Sequence, residues 1–125
     1  MTARLTHACV ITEDVPRLRE FYVRLLNAPP SADRPEYVEF STAAGALSMY
    51  RHGELERYAP GATTPGSNRS VMIEFEVADV DAEFGRLRGA GIEWVMPPTT
   101  QSWGNRATYL RDPDGNLVNM YTRVK

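Results

Sequence analysis

The stretch Val71-Met72-Ile73-Glu74-Phe75-Glu76-Val77-Ala78-Asp79-Val80-Asp81 changes its pattern partway along, and that change decides the fold. From Val71 to Val77 the residues alternate, with Ile73, Phe75 and Val77 against Met72, Glu74 and Glu76. This predicts a strand with one buried face. Asp79 then has the chemistry of a helix N-cap. Val80, Phe84 and Leu87 follow as an apolar face, until Gly89-Ala90-Gly91 closes the helix. Beyond it, Ile92 to Met96 reads as a strand stopped by Pro97-Pro98. Arg106 to Arg111 and Leu117 to Arg123 read as a hairpin around Asp112-Pro113-Asp114-Gly115-Asn116, where proline presets one backbone angle and glycine accepts a positive φ.

The same order appears upstream. Leu5 to Thr12 predicts a strand, and Asp14 can cap a helix that tolerates Pro16 in its first turn. Leu18, Phe21, Tyr22 and Leu25 follow at helical spacing, with Arg17, Arg19, Glu20 and Arg24 on the other side. The helix ends near Asn27, because Pro29-Pro30 forbid its continuation. Tyr37 to Thr42 and Ala46 to Arg51 then form strands about the short turn Ala43-Ala44-Gly45. Residues 53–69, rich in Gly, Pro, Ser and Thr, read as a linker in which Leu55 and Tyr58 make at most a helical turn. Glu13-Asp14-Val15 overlays Ala78-Asp79-Val80, and Leu47-Ser48-Met49-Tyr50 overlays Val118-Asn119-Met120-Tyr121. The expectation is a duplicated βαβββ unit, residues 4–52 and 70–125, neither copy able to cover its own sheet.

Length and composition narrow the function. The 125 residues fit one domain with a real core, and 42% apolar with 24% charged residues excludes a disordered chain. A net charge of −2 with no basic stripe gives no reason to expect a nucleic-acid or anionic-membrane partner. Cys9 is the sole cysteine, so an intrachain disulfide and a CxxC motif are both excluded. Its small and apolar neighbours suggest a packed, inert thiol. No apolar run reaches signal-peptide or membrane-spanning length, so a reduced, cytoplasmic location is expected.

His7, Asp14, Phe21-Tyr22, then Phe75 to Asp81, then Trp103-Gly104 and Asp112-Pro113-Asp114-Gly115-Asn116 together resemble the vicinal oxygen chelate family. That family includes glyoxalase I, methylmalonyl-CoA epimerase, extradiol dioxygenases, and fosfomycin- and bleomycin-resistance proteins. The resemblance spans nearly the whole chain and points to a fold, not to a reaction. It implies an α+β fold in which two βαβββ modules form a curved, partly closed mixed sheet around a cavity, with the helices outside. It also implies a homodimer. Metal-using members place one ligand on the first and one on the last strand of each module. Here those positions correspond to His7, Ser48, Met72 and Asn119. One imidazole, a hydroxyl, a thioether and an amide carry no anion to offset a divalent ion. The expectation is therefore no metal and no cofactor. A two-residue slip would bring in Glu74, and two good ligands are still too few.

Three functions compete. The first is a binding protein that holds a small, partly aromatic molecule with His7, Ser48, Met72, Trp103, Arg106, Asn119 and Tyr121. Trp103, in a loop beside Gly104, would stack on a flat ligand. Arg106, taken with Thr108 to share the face of Asn119, would pair with an anion. The second is a metal-independent isomerase or lyase in which His7 and Glu74 move a proton. The third is a dimerisation module without chemistry of its own, and a metal enzyme with relocated ligands stands behind all three. Plainer readings also stand: His7 satisfied by a neighbouring backbone group or a Ser48-type hydroxyl, Glu74 and Glu76 solvated, Arg106 on the surface, Trp103 covering the sheet edge or sitting in the dimer seam, and Leu47, Met49 and Met120 in the core.

Overall fold

The computed structural model describes residues 2–124; Lys125, the last residue of the expected second half, lies outside them. The chain divides into two compact units, Met1–Ser67 and Asn68–Lys125. In the first, β1 (His7–Thr12) leads to α1 (Val15–Leu26), then to β2 (Ala32–Asp33), β3 (Tyr37–Ser41), β4 (Ala46–Arg51) and the short α2 (His52–Leu55). In the second, β5 (Met72–Glu76) leads to α3 (Val80–Leu87), then β6 (Glu93–Thr100), β7 (Asn105–Arg111) and β8 (Leu117–Arg123). Each is a four-stranded mixed sheet, ordered β1-β4-β3-β2 and β5-β8-β7-β6, with its first strand parallel to its last. The α+β class and the βαβββ order of both units match the sequence.

The helices start and stop where local chemistry requires. Asp14 accepts the Arg17 N–H at 3.0 Å, and Asp79 accepts the Ala82 N–H at 3.1 Å, each satisfying one orphan amide of a first turn. Asn27 ends α1 with φ 52°, and the Ala28 N–H returns to the Val23 carbonyl at 3.3 Å. Val15, Leu18, Tyr22 and Leu25 of α1 are buried, on the sheet face that carries Val38, Phe40, Leu47 and Met49. In the second unit, Val80 and Leu87 of α3 are buried and Phe84 meets Trp94 at 4.6 Å, while the Val80 N–H donates to Thr122. Thr122 alternates with Met120 and Val118, so that parity faces the helix. The core residues Leu47, Met49 and Met120 are where the alternation puts them.

Three expectations need correction. The strand expected at Ile92 to Met96 runs on through Pro97-Pro98 to Thr100, with register shifts between Trp94 and Met96 and between Met96 and Thr99. Proline is tolerated because β6 is an edge strand, where a missing N–H forfeits no ladder bond. Cys9 is exposed, not packed: β1 is likewise an edge, and Cys9 points away from the helix. The two-residue β2 has no signal in the sequence. It exists because Ala32 and Asp33 pair with Glu39 and Val38.

Candidate functional site

On the face of each sheet away from its helix, register sets the residues in rows. In the first unit the middle row is Cys9, Ser48 and Glu39, flanked by a row of His7, Ala46 and Ser41 and one of Ile11, Tyr50 and Tyr37. His7 Nε2 lies 3.0 Å from Glu39 Oε1, and His7 Nδ1 lies 2.9 Å from Thr6 Oγ1. The link from β1 to β3 therefore passes over β4 at Ala46 and Ser48, positions that stay small enough to let it through. Tyr37 donates its hydroxyl to Glu39 Oε1 at 2.6 Å, and Ser41 donates to Oε2 at 3.1 Å. These donors, Tyr37 first and His7 second, hold the Glu39 carboxyl below the usual carboxylate range. Burial first, and then the adjoining carboxylate, push the Tyr37 phenol up.

Ser48 lies at the centre of this net and is only 1% exposed. The Tyr37 hydroxyl is near enough to feel it. That hydroxyl gives its hydrogen to Glu39, and Ser48 Oγ has no partner at bonding geometry. Next to the net is an open depression of about 540 Å³, lined by residues 4–7, Glu39 and residues 41–46.

The corresponding middle row of the second unit is Glu74, Asn119 and Tyr109. Asn119 donates from Nδ2 to Glu74 Oε2 at 2.9 Å, while its own Oδ1 is buried without a partner. Met72 lies one row away, opposite Leu117, and Tyr121 lies in the row beyond, opposite Glu76. The register equates His7 with Met72 and Cys9 with Glu74, because each pair sits identically relative to Ser48 and Asn119.

The face expected for Arg106 is overturned. Ala107 and Tyr109, not Arg106 and Thr108, stand opposite Tyr121 and Asn119. Arg106 therefore points to the helix side and makes a two-pronged bond to Asp81 of α3 at 2.8 and 2.9 Å. The paired guanidinium holds Asp81 below its ordinary value, and the carboxylate raises Arg106 in return. Trp103 is 68% exposed in the β6–β7 loop, where Gly104 takes φ +99°. His7 is satisfied, as its plainer reading has it, but by Glu39 and Thr6, not by Ser48. Glu39 and Tyr37 were missed as site residues. The signal was the alternation Tyr37-Val38-Glu39-Phe40-Ser41, which places three polar groups on one face.

The four positions that the resemblance assigns to a metal do not suit a divalent ion. Ser48 and Met72 offer a hydroxyl and a thioether, Asn119 a neutral amide already turned to Glu74, and both His7 nitrogens are engaged. Among the described residues, no group of three or more His, Cys, Asp or Glu is placed to hold an ion. No helix among them is long and apolar enough to cross a membrane.

Two βαβββ units in succession, each with a four-stranded mixed sheet, define a class of folds, and comparison with known proteins places the chain within it. It belongs to the Glyoxalase/Bleomycin resistance protein/Dioxygenase superfamily, whose model matches residues 4–120. It is 26% identical over 124 residues to the uncharacterized protein YraH of Bacillus subtilis (strain 168), covering 94% of this chain and 97% of that protein. A protein of unknown function from Agrobacterium tumefaciens str. C58 superimposes with a TM-score of 0.84 at 25% identity, covering 99% and 97% of the two chains. A glyoxalase/bleomycin resistance protein/dioxygenase from Nocardioides does so with a TM-score of 0.78 at 25% identity, covering 100% and 87%.

Proposed function

We propose that this chain is a metal-free member of its family that binds a small, partly aromatic molecule, on the sheet faces that carry His7, Ser48, Met72, Asn119 and Tyr121. The observation that supports this reading most is a pair of buried polar atoms, Ser48 Oγ and Asn119 Oδ1. Both lack a hydrogen-bond partner, and they occupy equivalent positions in the two units. A fold does not keep such groups for stability, since each costs about 1–3 kcal/mol when left unmet. A ligand that meets either one recovers its cost. The depression beside His7 and Glu39, walled by residues 4–7 and 41–46, supplies room for a small molecule next to the first of these rows. Trp103 remains a stacking candidate at an exposed loop, whereas Arg106 is withdrawn from the ligand set by its bond to Asp81.

The test is elemental analysis of the purified protein, followed by a thermal-shift screen of planar aromatic compounds. The expected result is substoichiometric metal together with a hit stabilising by about 2.7 kcal/mol at 100 times its Kd. Stoichiometric Zn²⁺ or Ni²⁺ overturns the reading. Light scattering on the same samples tests the homodimer that accompanies it, and a monomer at micromolar concentration removes that part.

A second reading, metal-independent proton transfer by an isomerase or lyase, is favoured by the imidazole–carboxylate contact at His7. It pairs His7 with Glu39, while Glu74 is already bonded to Asn119. Under that reading His7→Ala abolishes turnover of any substrate found, and unchanged turnover excludes it.

A further inference from the structure

The two orphaned groups ask for different partners, and the one in the second unit specifies its partner's chemistry. We propose that the Glu74–Asn119 pair recognises a hydrogen-bond-donating organic cation, of the class of an aromatic amidinium. This deepens the binding reading above and rests on it.

The Asn119 amide is oriented by its neighbour. Its Nδ2 donates to Glu74 Oε2 at 2.9 Å, which fixes the orientation of the group. The flipped amide would set a carbonyl oxygen against a carboxylate. The remaining atom, Oδ1, is therefore an acceptor. It is buried without a partner in a residue only 5% exposed. Beside it, Glu74 is exposed and spends one oxygen on Asn119, so its other oxygen is a second acceptor carrying negative charge.

The other charged groups of this face are occupied. Glu76 lies 3.5 Å from Arg123, and Arg111 donates to the Gly115 carbonyl at 2.9 Å and lies 3.9 Å from Glu93. Glu74 is thus the anion whose charge this face leaves open. Two acceptors within one bonded pair, one of them anionic, call for a ligand that brings two N–H donors and a positive charge. A planar amidinium carries both. Tyr109, opposite Asn119, and Tyr121, opposite Glu76, are half-buried and give a flat ring an aromatic flank. Since Oδ1 is covered, one of the neighbouring side chains must give way before the second donor reaches it.

The probes are benzamidine and benzoate, matched in size and opposite in charge, titrated into the full chain and followed by nitrogen-15 correlation spectra. Benzamidine is expected to shift the Asn119 side-chain amide and the backbone signals of residues 74 and 121 saturably, while benzoate leaves them in place. Glu74→Gln keeps an acceptor for Asn119 but removes the charge, and it should weaken benzamidine at least 10-fold. Asn119→Leu removes the buried acceptor and should weaken it further. Equal binding of benzoate, no response to benzamidine, or undiminished affinity in Glu74→Gln overturns the proposal. Benzoate binding at these same residues would do so while leaving the small-molecule reading intact, whereas a barren library screen or stoichiometric bound metal removes that reading.

Discussion

The two units carry one backbone plan with opposite polar wiring. In the first, the acid of the middle row is Glu39 on β3, enclosed by donors from Tyr37, His7 and Ser41, and the orphan beneath it is a hydroxyl. In the second, the acid is Glu74 on the edge strand β5, held by the single donor Asn119, and the orphan is a carbonyl oxygen. The acid of the first face is met by its own neighbours, and that of the second is left wanting donors. The difference teaches that a duplicated sheet keeps its helix-facing parity while its other parity is free to diverge. The core fixes the register through one set of alternate residues, and the remaining set inherits positions without inheriting chemistry.

The largest expected effect tests the shared part of that plan. Met49 and Met120 occupy equivalent helix-facing positions at 0% and 1% exposure. Met49→Ala and Met120→Ala should each cost about 2–5 kcal/mol in urea unfolding. If one costs under about 1 kcal/mol, the two cores are not equivalent.

A smaller effect tests the divergent part. Ser48→Ala deletes an unmet hydroxyl and should leave stability unchanged or raise it by about 1 kcal/mol. Asn119→Ala loses the bond to Glu74 along with its orphan, and should lower stability by about 1 kcal/mol. Opposite signs in the denaturant midpoints sharpen the contrast, and equal signs break it.

The smallest effect is in pH. Glu39 has its folded-state pKa depressed, so its contribution is present above the unfolded carboxylate value of about 4.3 and is lost as pH falls through the lower folded value. Wild type should therefore be more stable than Glu39→Gln near neutrality, with the two converging in acid. Thermal melts across that range check it, and a gap that persists at the acid end sinks the assignment. At the alkaline end, Glu39→Gln should also bring the Tyr37 phenol down towards its ordinary range, read by ultraviolet titration.

Much of this was legible in the sequence because alternation and capping are local. Glu74 and Glu76 were correctly set against Ile73 and Phe75, and Asp14 and Asp79 were recognised as caps. Arg106 was misplaced because its face depends on the register across the β7–β8 hairpin, which the turn residues alone do not set to within one position. Glu39 went unnoticed because a glutamate in an alternating strand looks solvated until the strands beside it are known. Pro97-Pro98 read as a stop because the sequence does not say which strand lies at an edge.

By itself, the sequence determined the duplicated βαβββ order, the two cap positions, the helix-facing core and the side-chain types on either face of each strand. All of these depend on neighbours a few residues apart or on side-chain identity alone. Only the tertiary structure decided that His7 reaches Glu39 across β4, that Arg106 belongs to Asp81, and that Ser48 and Asn119 are left with unmet atoms. Those outcomes depend on which elements lie side by side and in what register, and the bonds concerned join residues that the chain itself separates by 25 to 45 positions.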